Sequence, residues 1–210
     1  TLFDQGFPTE GADLAAYLAL QAEALGVMAD ALGKADDAQR WRERAEKQLG
    51  DLLDQGVSDG RFVSPVSATH RVEPTCSLIT RMPVVLGHRL PDALRHALVE
   101  ELSPDGPFMT EYGLATESPR SSKYEPDGYW RGPVWAPSTY LAFDGLRDAG
   151  ESELARTIAR RFCDMCVRRP GMYENYDAES GDGLRCPGYS WTAAVFLLLA
   201  EWLRDNDGKR

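Results

Sequence analysis

The chain has 210 residues and carries 23 Lys and Arg against 33 Asp and Glu, a formal net charge of −10. This acidity argues against a nucleic-acid partner and against docking on an anionic membrane face, because both depend on a basic protein surface. Hydrophobic residues make up 43% of the sequence and charged residues 27%. This composition is typical of a chain that folds around a core and not of a disordered one.

The chain offers no sign of a membrane segment, a leader or a metal site. Its longest apolar run, near residues 192–200, is about half as long as a membrane span requires. The start, Thr1-Leu-Phe-Asp4, has neither the basic nor the apolar region of a signal peptide, and the missing Met suggests that the chain has lost its beginning. Apart from a C-x-x-C pair, Cys163 and Cys166, the cysteines and histidines are scattered, so we expect no metal and no cofactor. We expect the four cysteines to be buried or half-buried free thiols, which fit a cytoplasmic protein.

Apolar residues recur with a period near 3.6 along most of the chain, which predicts an all-α fold. The first predicted helix runs from Asp13 to Gly33, and a second covers residues 36–52, followed by a tight turn at Asp59-Gly60. Further helices are predicted at 75–86 with a kink at Pro83, from Pro91 to about 102, at 133–149, at 152–168 and from about 190 onward. The stripe expected to be buried in the first helix consists of Leu14, Leu18, Leu25, Met28 and Leu32. Other side chains expected to be buried between helices are Tyr17, Trp41, Leu94, Leu141, Phe162 and Val195.

Three short connections share one pattern, at residues 33–38, 87–93 and 150–155. Each has a helix-stopping glycine, an acidic turn and an alanine that opens the next helix. Matching turns suggest stacked αα hairpins, as in an α-solenoid or a closed αα toroid, whereas a plain helical bundle is the alternative. Two long loops, 103–132 and 170–187, lie at alternate junctions, so one face should be thick and carry the active site.

Both long loops hold residues suited to carbohydrate chemistry. In the first, residues 124–135 mix aromatic rings, which stack on sugars, with carboxylates and Arg131, which bond hydroxyls; aromatic residues that only cover a core are the alternative. In the second, Glu174 lies among Tyr173, Asn175 and Tyr176, an environment that suits a general base. A solvated acidic turn is the alternative there, since the spacing does not follow the EF-hand pattern.

Three ordered motifs resemble a known family. Tyr129-Trp-Arg-Gly-Pro-Val-Trp135 resembles a signature of (α/α)6-barrel glycosidases, especially glycoside hydrolase family 63. Tyr173-Glu-Asn-Tyr-Asp177, followed by residues 190–194, is similar to its second signature. Asp13-Leu-Ala-Ala-Tyr17-Leu is similar to an internal segment of the family, with Ala15 in place of its usual asparagine. Among bacterial members, the likeness is greatest to mannosylglycerate and glucosylglycerate hydrolases.

The resemblance implies an inverting α-glycoside hydrolase that acts on a small α-glucoside or α-mannoside, such as a glycosylglycerate or an oligosaccharide. It implies that Glu174 is the general base. The substrate-binding residues that it implies are Tyr129, Trp130, Arg131, Trp135, Tyr173 and Trp191.

The general acid of the family lies in a stretch that this sequence does not contain. Residues 1–210 are therefore interpreted as the carboxy-terminal portion of a single (α/α)6 catalytic domain, with the amino-terminal half in the same chain or in a separate one. Association with copies of itself is a further expectation for such a half. Asp127 or Glu117 as a local second carboxylate, and a non-catalytic saccharide-binding or structural fragment, stay open as alternatives.

Overall fold

The computed structural model describes residues 8–67, 69–72 and 75–206. Over these residues the chain is mostly helical, which confirms the predicted all-α fold. The helical elements are α1 (Ala12–Ala31), α2 (Ala35–Gln55), a 3₁₀ segment (Leu78–Arg89), α3 (Asp92–Leu102), α4 (Ala136–Asp148), α5 (Ser152–Arg168) and α6 (Ser190–Asn206). The loops contain three antiparallel hairpins, β1 (Val57–Ser58) with β2 (Arg61–Phe62), β3 (Met109–Thr110) with β4 (Gly113–Leu114), and β5 (Asn175–Tyr176) with β6 (Gly183–Leu184).

Inner and outer helical elements alternate along the chain. α1 contacts the 3₁₀ segment, the 3₁₀ segment contacts α4, and α4 contacts α6. Behind this inner row, α2 packs on α1, α3 packs on the 3₁₀ segment, and α5 packs on both α4 and α6. This layering is the stacked αα-hairpin arrangement of an αα toroid.

The short and long connections lie at opposite ends of the helices, as predicted. Gly33, Gly87 and Gly150 take φ angles of 71°, 54° and 84°, in the left-handed region that favours glycine and stops a helix. Gly33 and Gly150 follow the inner elements α1 and α4, and Gly87 breaks the 3₁₀ segment near its end. The long loops all follow outer helices, so they gather on the face where the inner elements α4 and α6 begin.

The prediction that α1 buries the stripe of Leu and Met side chains was wrong. The exposed fraction is 57% for Leu14, 38% for Leu18 and 72% for Leu32, whereas α1 buries a row of small residues. Small side chains face α2 because they let the two helices approach closely. A Cβ on Gly26 would lie 3.5 Å from the carbonyl oxygen of Ala38. The buried small residues are Ala12, Ala16, Ala19, Ala22, Gly26 and Ala29.

By length and composition alone, α1 could cross a membrane, since it has 20 residues and a mean hydropathy of 1.2. Its alanine face packs on α2 and on the 3₁₀ segment, which is how a core helix of a folded domain is used. Of the other residues expected to be buried, Leu94, Phe162 and Val195 are buried, while Tyr17, Trp41 and Leu141 are half-buried.

Two predicted helix boundaries also differ from the structure. The segment from Leu78 is wound as a 3₁₀ helix and is broken at Gly87, where φ is 54° and ψ is −124°, and not at Pro83. α4 begins at Ala136 and not at Pro133, because Val134 is extended and pairs with another segment.

Backbone hydrogen bonds through Val134 join the two long loops. Its N–H donates to the carbonyl oxygen of Tyr176 at 2.7 Å, and its own carbonyl accepts from the Tyr176 N–H at 3.1 Å. Val134 also bridges Ala115, next to β4. These pairings connect the first loop, the start of α4 and the second loop into one hydrogen-bonded layer.

Candidate active site

Four aromatic side chains form one cluster on the face of the long loops. The rings of Trp130 and Trp135 stack with centroids 4.2 Å apart and planes 8° from parallel. Tyr129 and Trp191 meet Trp135 edge to face, at centroid distances of 4.8 and 5.7 Å. Trp135 is fully buried, whereas Tyr129, Trp130 and Trp191 are 38–46% exposed. The structure therefore brings together four of the six predicted substrate-binding residues, with three rings open to solvent.

A tight loop before α4 presents this cluster. The N–H of Glu125 donates to the carbonyl oxygen of Arg131 at 2.8 Å and closes the loop. Tyr129 takes a φ of 61°, which is uncommon for a residue with a bulky side chain. The indole N–H of Trp135 donates to the carbonyl oxygen of Tyr129 at 2.8 Å and supports that conformation. Since Trp135 also caps α4, the helix fixes the loop that carries the aromatic rings.

Glu174 lies beside the aromatic cluster, immediately before strand β5. Its backbone N–H donates to the carbonyl oxygen of Cys186 at 2.9 Å, which anchors it to the far side of the hairpin. The phenol of Tyr129 donates to Oε1 of Glu174 at 2.9 Å. This hydrogen bond is the main reason that the pKa of Tyr129 is raised. One carboxylate oxygen is thus held by a neutral donor, and the carboxylate is only half-buried.

A cavity of about 580 Å³ opens next to the cluster, and Tyr129, Trp130 and Arg131 form part of its wall. Most of the rest of the wall comes from the inner elements α1, the 3₁₀ segment and α4, and Thr116 and Gly128 of the first loop complete it. Its size is in the range of small-molecule sites. Hydroxyl groups of Ser77 and Ser138 add polar contacts to a wall that is otherwise mainly apolar.

Asp13 lines the same cavity, a position that the sequence analysis did not predict. In the sequence it served only as the start of the first predicted helix and as part of the segment at residues 13–18. In the structure the N-cap of α1 is Gly11, and Asp13 lies in the first turn, where its carboxylate accepts the backbone N–H of Leu14. Burial raises the pKa of Asp13. The signal that could have identified it is the segment Asp13-Leu-Ala-Ala-Tyr17, because both Asp13 and Tyr17 face the cavity.

Arg131 and Tyr173 are more constrained than the other predicted site residues. Arg131 lines the cavity, but its guanidinium is paired with the carboxylate of Glu125 at 2.6 Å. The ring of Tyr173 packs so closely on Gly171 and Gly183 that a Cβ on either glycine would overlap it. Tyr173 therefore contributes to the packing of the second loop, and its contact with a substrate stays a prediction.

Three other acidic residues of the two loops have hydrogen-bond or ion-pair partners in the structure. Glu117 is 2% exposed, and its carboxylate accepts the Ser121 hydroxyl at 2.5 Å. Asp127 is exposed and pairs with Arg185 at 2.7 Å. Asp177 caps a turn by accepting two backbone N–H groups at 2.7 and 2.9 Å.

The thiol pair of α5 does not form a chemical site. Cys163 and Cys166 are buried as expected, and burial raises the pKa of their thiols to about 12 and about 11, so both stay protonated near neutral pH. Cys76 and Cys186 are exposed, contrary to the expectation that all four would be at least half-buried. Within residues 8–67, 69–72 and 75–206, no group of three or more His, Cys, Asp or Glu side chains could hold a metal ion.

Comparison with known proteins identifies the family through one family model and finds the same fold in a solved structure. The family model of the mannosylglycerate hydrolase MGH1-like glycoside hydrolase domain matches residues 1–192. A mannosylglycerate hydrolase from Thermus thermophilus is 37% identical over 44% of this chain, and a glucosylglycerate hydrolase from Mycolicibacterium hassiacum is 29% identical over 80% of it. A GH63 mannosylglycerate hydrolase from Thermus thermophilus, solved in complex with glucose, superposes with a TM-score of 0.77 over 90% of this chain at 23% identity.

The chain spans only part of each of these proteins. It covers 48% of the solved Thermus thermophilus chain, and 21% and 37% of the two curated relatives.

Proposed function

Because the chain belongs to the mannosylglycerate hydrolase MGH1-like glycoside hydrolase family, we propose that it supplies the general base of an inverting α-glycosidase. The observation that supports this most directly is the carboxylate of Glu174 beside exposed aromatic rings, with one oxygen held by the Tyr129 phenol at 2.9 Å. A carboxylate held by one donor keeps a free oxygen that can accept a proton from water.

In the proposed reaction, Glu174 takes a proton from a water molecule as that water attacks the anomeric carbon. A general acid on the opposite side of the sugar ring protonates the glycosidic oxygen, and the bond from the anomeric carbon to that oxygen breaks. The two carboxyl groups of such enzymes lie roughly 6.5–9.5 Å apart, because the water must fit between one of them and the sugar. The product is formed with inverted configuration.

The aromatic cluster suits the role of a sugar platform in this reaction. The exposed rings of Tyr129, Trp130 and Trp191 offer apolar surface to the C–H face of a pyranose. The stacked Trp135 beneath them is fully buried, so the platform is rigid and loses little conformational freedom on binding.

We assign the general acid to an amino-terminal half of the same toroid, in cis or as a separate chain. The chain spans about half of its solved relative. The two terminal helices of the inner row also expose apolar side chains, and a further half would cover these faces. The exposed residues concerned are Leu14, Leu18, Met28 and Leu32 on α1, with Leu197 and Leu198 on α6.

The substrate class that we propose is a small α-glucoside or α-mannoside, with a glycosylglycerate as the leading candidate. The names of the relatives support this choice, since they include hydrolases of mannosylglycerate and of glucosylglycerate. A cavity of about 580 Å³ has room for a disaccharide-sized molecule.

The test is Glu174→Gln in the chain combined with its amino-terminal half, assayed for sugar release from mannosylglycerate and glucosylglycerate. Glutamine keeps the size of the side chain but cannot act as a base, so we expect hydrolysis to fall at least about 10²-fold while sugar binding survives. NMR of the first-formed anomer checks for inversion.

The matched control is Glu179→Gln, which removes a carboxylate from an exposed turn of the same loop. It should leave the rate within about twofold of the unmodified protein. Full activity of Glu174→Gln would overturn the assignment of the base. Sugar binding without any hydrolysis by the complete protein would favour the non-catalytic saccharide-binding alternative.

A further inference from the structure

Arg185 connects three parts of the candidate site. The β5–β6 hairpin pairs Asn175 with Leu184, and the Glu174 N–H donates to the carbonyl oxygen of Cys186. Arg185 lies between these two pairings, at the end of β6 and close to the backbone of Glu174. From there its guanidinium reaches back to the first loop. Its Nη2 donates to the carbonyl oxygen of Asp127 at 3.0 Å and lies 2.7 Å from the Asp127 carboxylate.

The same guanidinium also lies over the ring of Tyr129, with Cζ 5.6 Å from the ring centroid. Such a cation–π contact is attractive, because the face of the ring carries partial negative charge. Tyr129 has an unfavourable φ of 61°, and its side chain is 43% exposed. Its conformation therefore depends on stabilising contacts such as this one.

We propose that Asp127 and Arg185 form a strap that fixes the ring of Tyr129 and thereby orients the carboxylate of Glu174. The chain of contacts is continuous: Asp127 holds the guanidinium, the guanidinium covers the ring, and the phenol donates to Oε1 of Glu174. Arg185 acts through Tyr129, so it is a positioning residue. The inference rests on the proposed function only in its claim that the strap affects catalysis, because the contacts themselves can be tested without measuring hydrolysis.

A purely electrostatic role of Arg185 and a positioning role predict opposite changes in the pKa of Tyr129 when Arg185 is removed. The charged or titratable groups that act on Tyr129 are Glu174, Arg185 and Tyr189. The hydrogen bond to Glu174 raises the pKa of Tyr129, whereas the positive charge of Arg185 lowers it. If Arg185 were only a nearby charge, its loss would raise the pKa of Tyr129 further. If Arg185 holds the ring in place, its loss breaks the bond to Glu174 and lowers that pKa.

The experiment is a ¹³C NMR titration of the 210-residue chain labelled at tyrosine Cζ, with the Tyr129 resonance assigned through Tyr129→Phe. In Arg185→Met we expect the pKa of Tyr129 to fall toward the ordinary phenol value of about 10. Glu174→Gln should lower it in the same direction, because it removes the charged acceptor. A rise or no change in Arg185→Met would overturn the strap.

Arg169→Met is the matched control. It removes an arginine of similar exposure, paired with Asp182 at 2.9 Å in the same loop, and should leave the Tyr129 resonance unchanged. In the hydrolysing enzyme, Arg185→Met should lower kcat about tenfold with little effect on KM, since a misplaced base slows the chemical step. An effect on KM alone would place Arg185 on the sugar and contradict a positioning role. If hydrolysis does not depend on Glu174 while the titration shifts as expected, the strap stands and the proposed function fails.

Discussion

Gly87 shows how a single residue can fix a connection at the face opposite the candidate active site. Its φ of 54° and ψ of −124° lie where residues with a Cβ rarely occur, and a Cβ there would overlap the carboxylate of Asp148. That carboxylate already accepts the backbone N–H of His88 at 3.1 Å and contacts its imidazole at 2.7 Å. The glycine therefore ties the end of the 3₁₀ segment to the end of α4.

We predict that Gly87→Ala destabilises the fold by about 2–5 kcal/mol, from backbone strain and from displacement of Asp148. Gly33→Ala is the matched control, because Gly33 also has a positive φ, 71°, but its Cβ would meet no atom within 4 Å. It should cost only about 1 kcal/mol. Urea unfolding at low protein concentration measures both, and equal losses for the two variants would show that Asp148 plays no part.

The buried carboxylate of Glu101 connects three secondary-structure elements: α3, the 3₁₀ segment and β2. Glu101 of α3 is 6% exposed and pairs with Arg81 of the 3₁₀ segment at 2.8 Å and with Arg61 of β2. Arg81 is itself only 12% exposed and lies over the ring of Phe108. The outer helix α3 is thus attached to the inner row by charge as well as by its buried leucines.

We predict that Glu101→Gln destabilises the chain by about 3 kcal/mol, because it leaves Arg81 buried without a counter-charge. The comparison is Asp51→Asn, which breaks an exposed pair with Lys47 on α2 and should change stability by less than about 0.5 kcal/mol. Thermal and urea unfolding of both variants provide the measurement. Similar small losses in both would mean that water reaches the Glu101 pair.

Elements with strong local signals were predictable from the sequence. The bounds of α5, Ser152–Arg168, agree with the prediction because the turn at Gly150 and the polar loop after it are both local signals. The start of α4 was missed because Val134 pairs with Tyr176, a residue far away in the sequence. The buried face of α1 was missed for a similar reason: hydropathy favours the leucines, whereas close packing of helices favours the alanines.

The candidate site was predictable only as a set of residue types. The motif around Tyr129 and Trp135 and the second signature at Glu174 identified most of its members. Nothing local in the sequence indicates that the Tyr129 phenol bonds Glu174 or that Arg185 reaches Asp127, because these contacts join two loops about 45–58 residues apart. Asp13 was missed as a cavity residue because an acidic side chain in the first turn of a helix is already explained by the helix dipole.

For the whole molecule, the exposed apolar faces of α1 and α6 predict association. We expect the isolated 210-residue chain to self-associate through these faces when no amino-terminal half is present. The double variant Leu18→Glu with Met28→Glu should weaken association at least about tenfold, since each lost apolar contact contributes about 1.5–3 kcal/mol. Its stability should change little, because both side chains are exposed in the folded chain.

Light scattering over a range of protein concentrations tests this prediction. Val167→Glu is the control, because Val167 is 67% exposed but lies on the outer helix α5. It should leave association unchanged. A chain that stays monomeric at high concentration and unfolds in one two-state transition would contradict the prediction and show that the exposed faces need no cover.

The backbone pairing of Val134 with Tyr176 has a consequence for protein engineering. Val134 follows the first loop and pairs through both its N–H and its carbonyl oxygen with Tyr176 of the second loop. The phenol of Tyr129 in the first loop also donates to Glu174 in the second, so a graft that replaces only one of the two long loops breaks contacts with the other. Substrate preference in this scaffold should therefore be transferred by exchanging both loops together, with Val134 and its flanking residues kept as a common seam. Insertions should be placed at the hairpin tips, away from that seam.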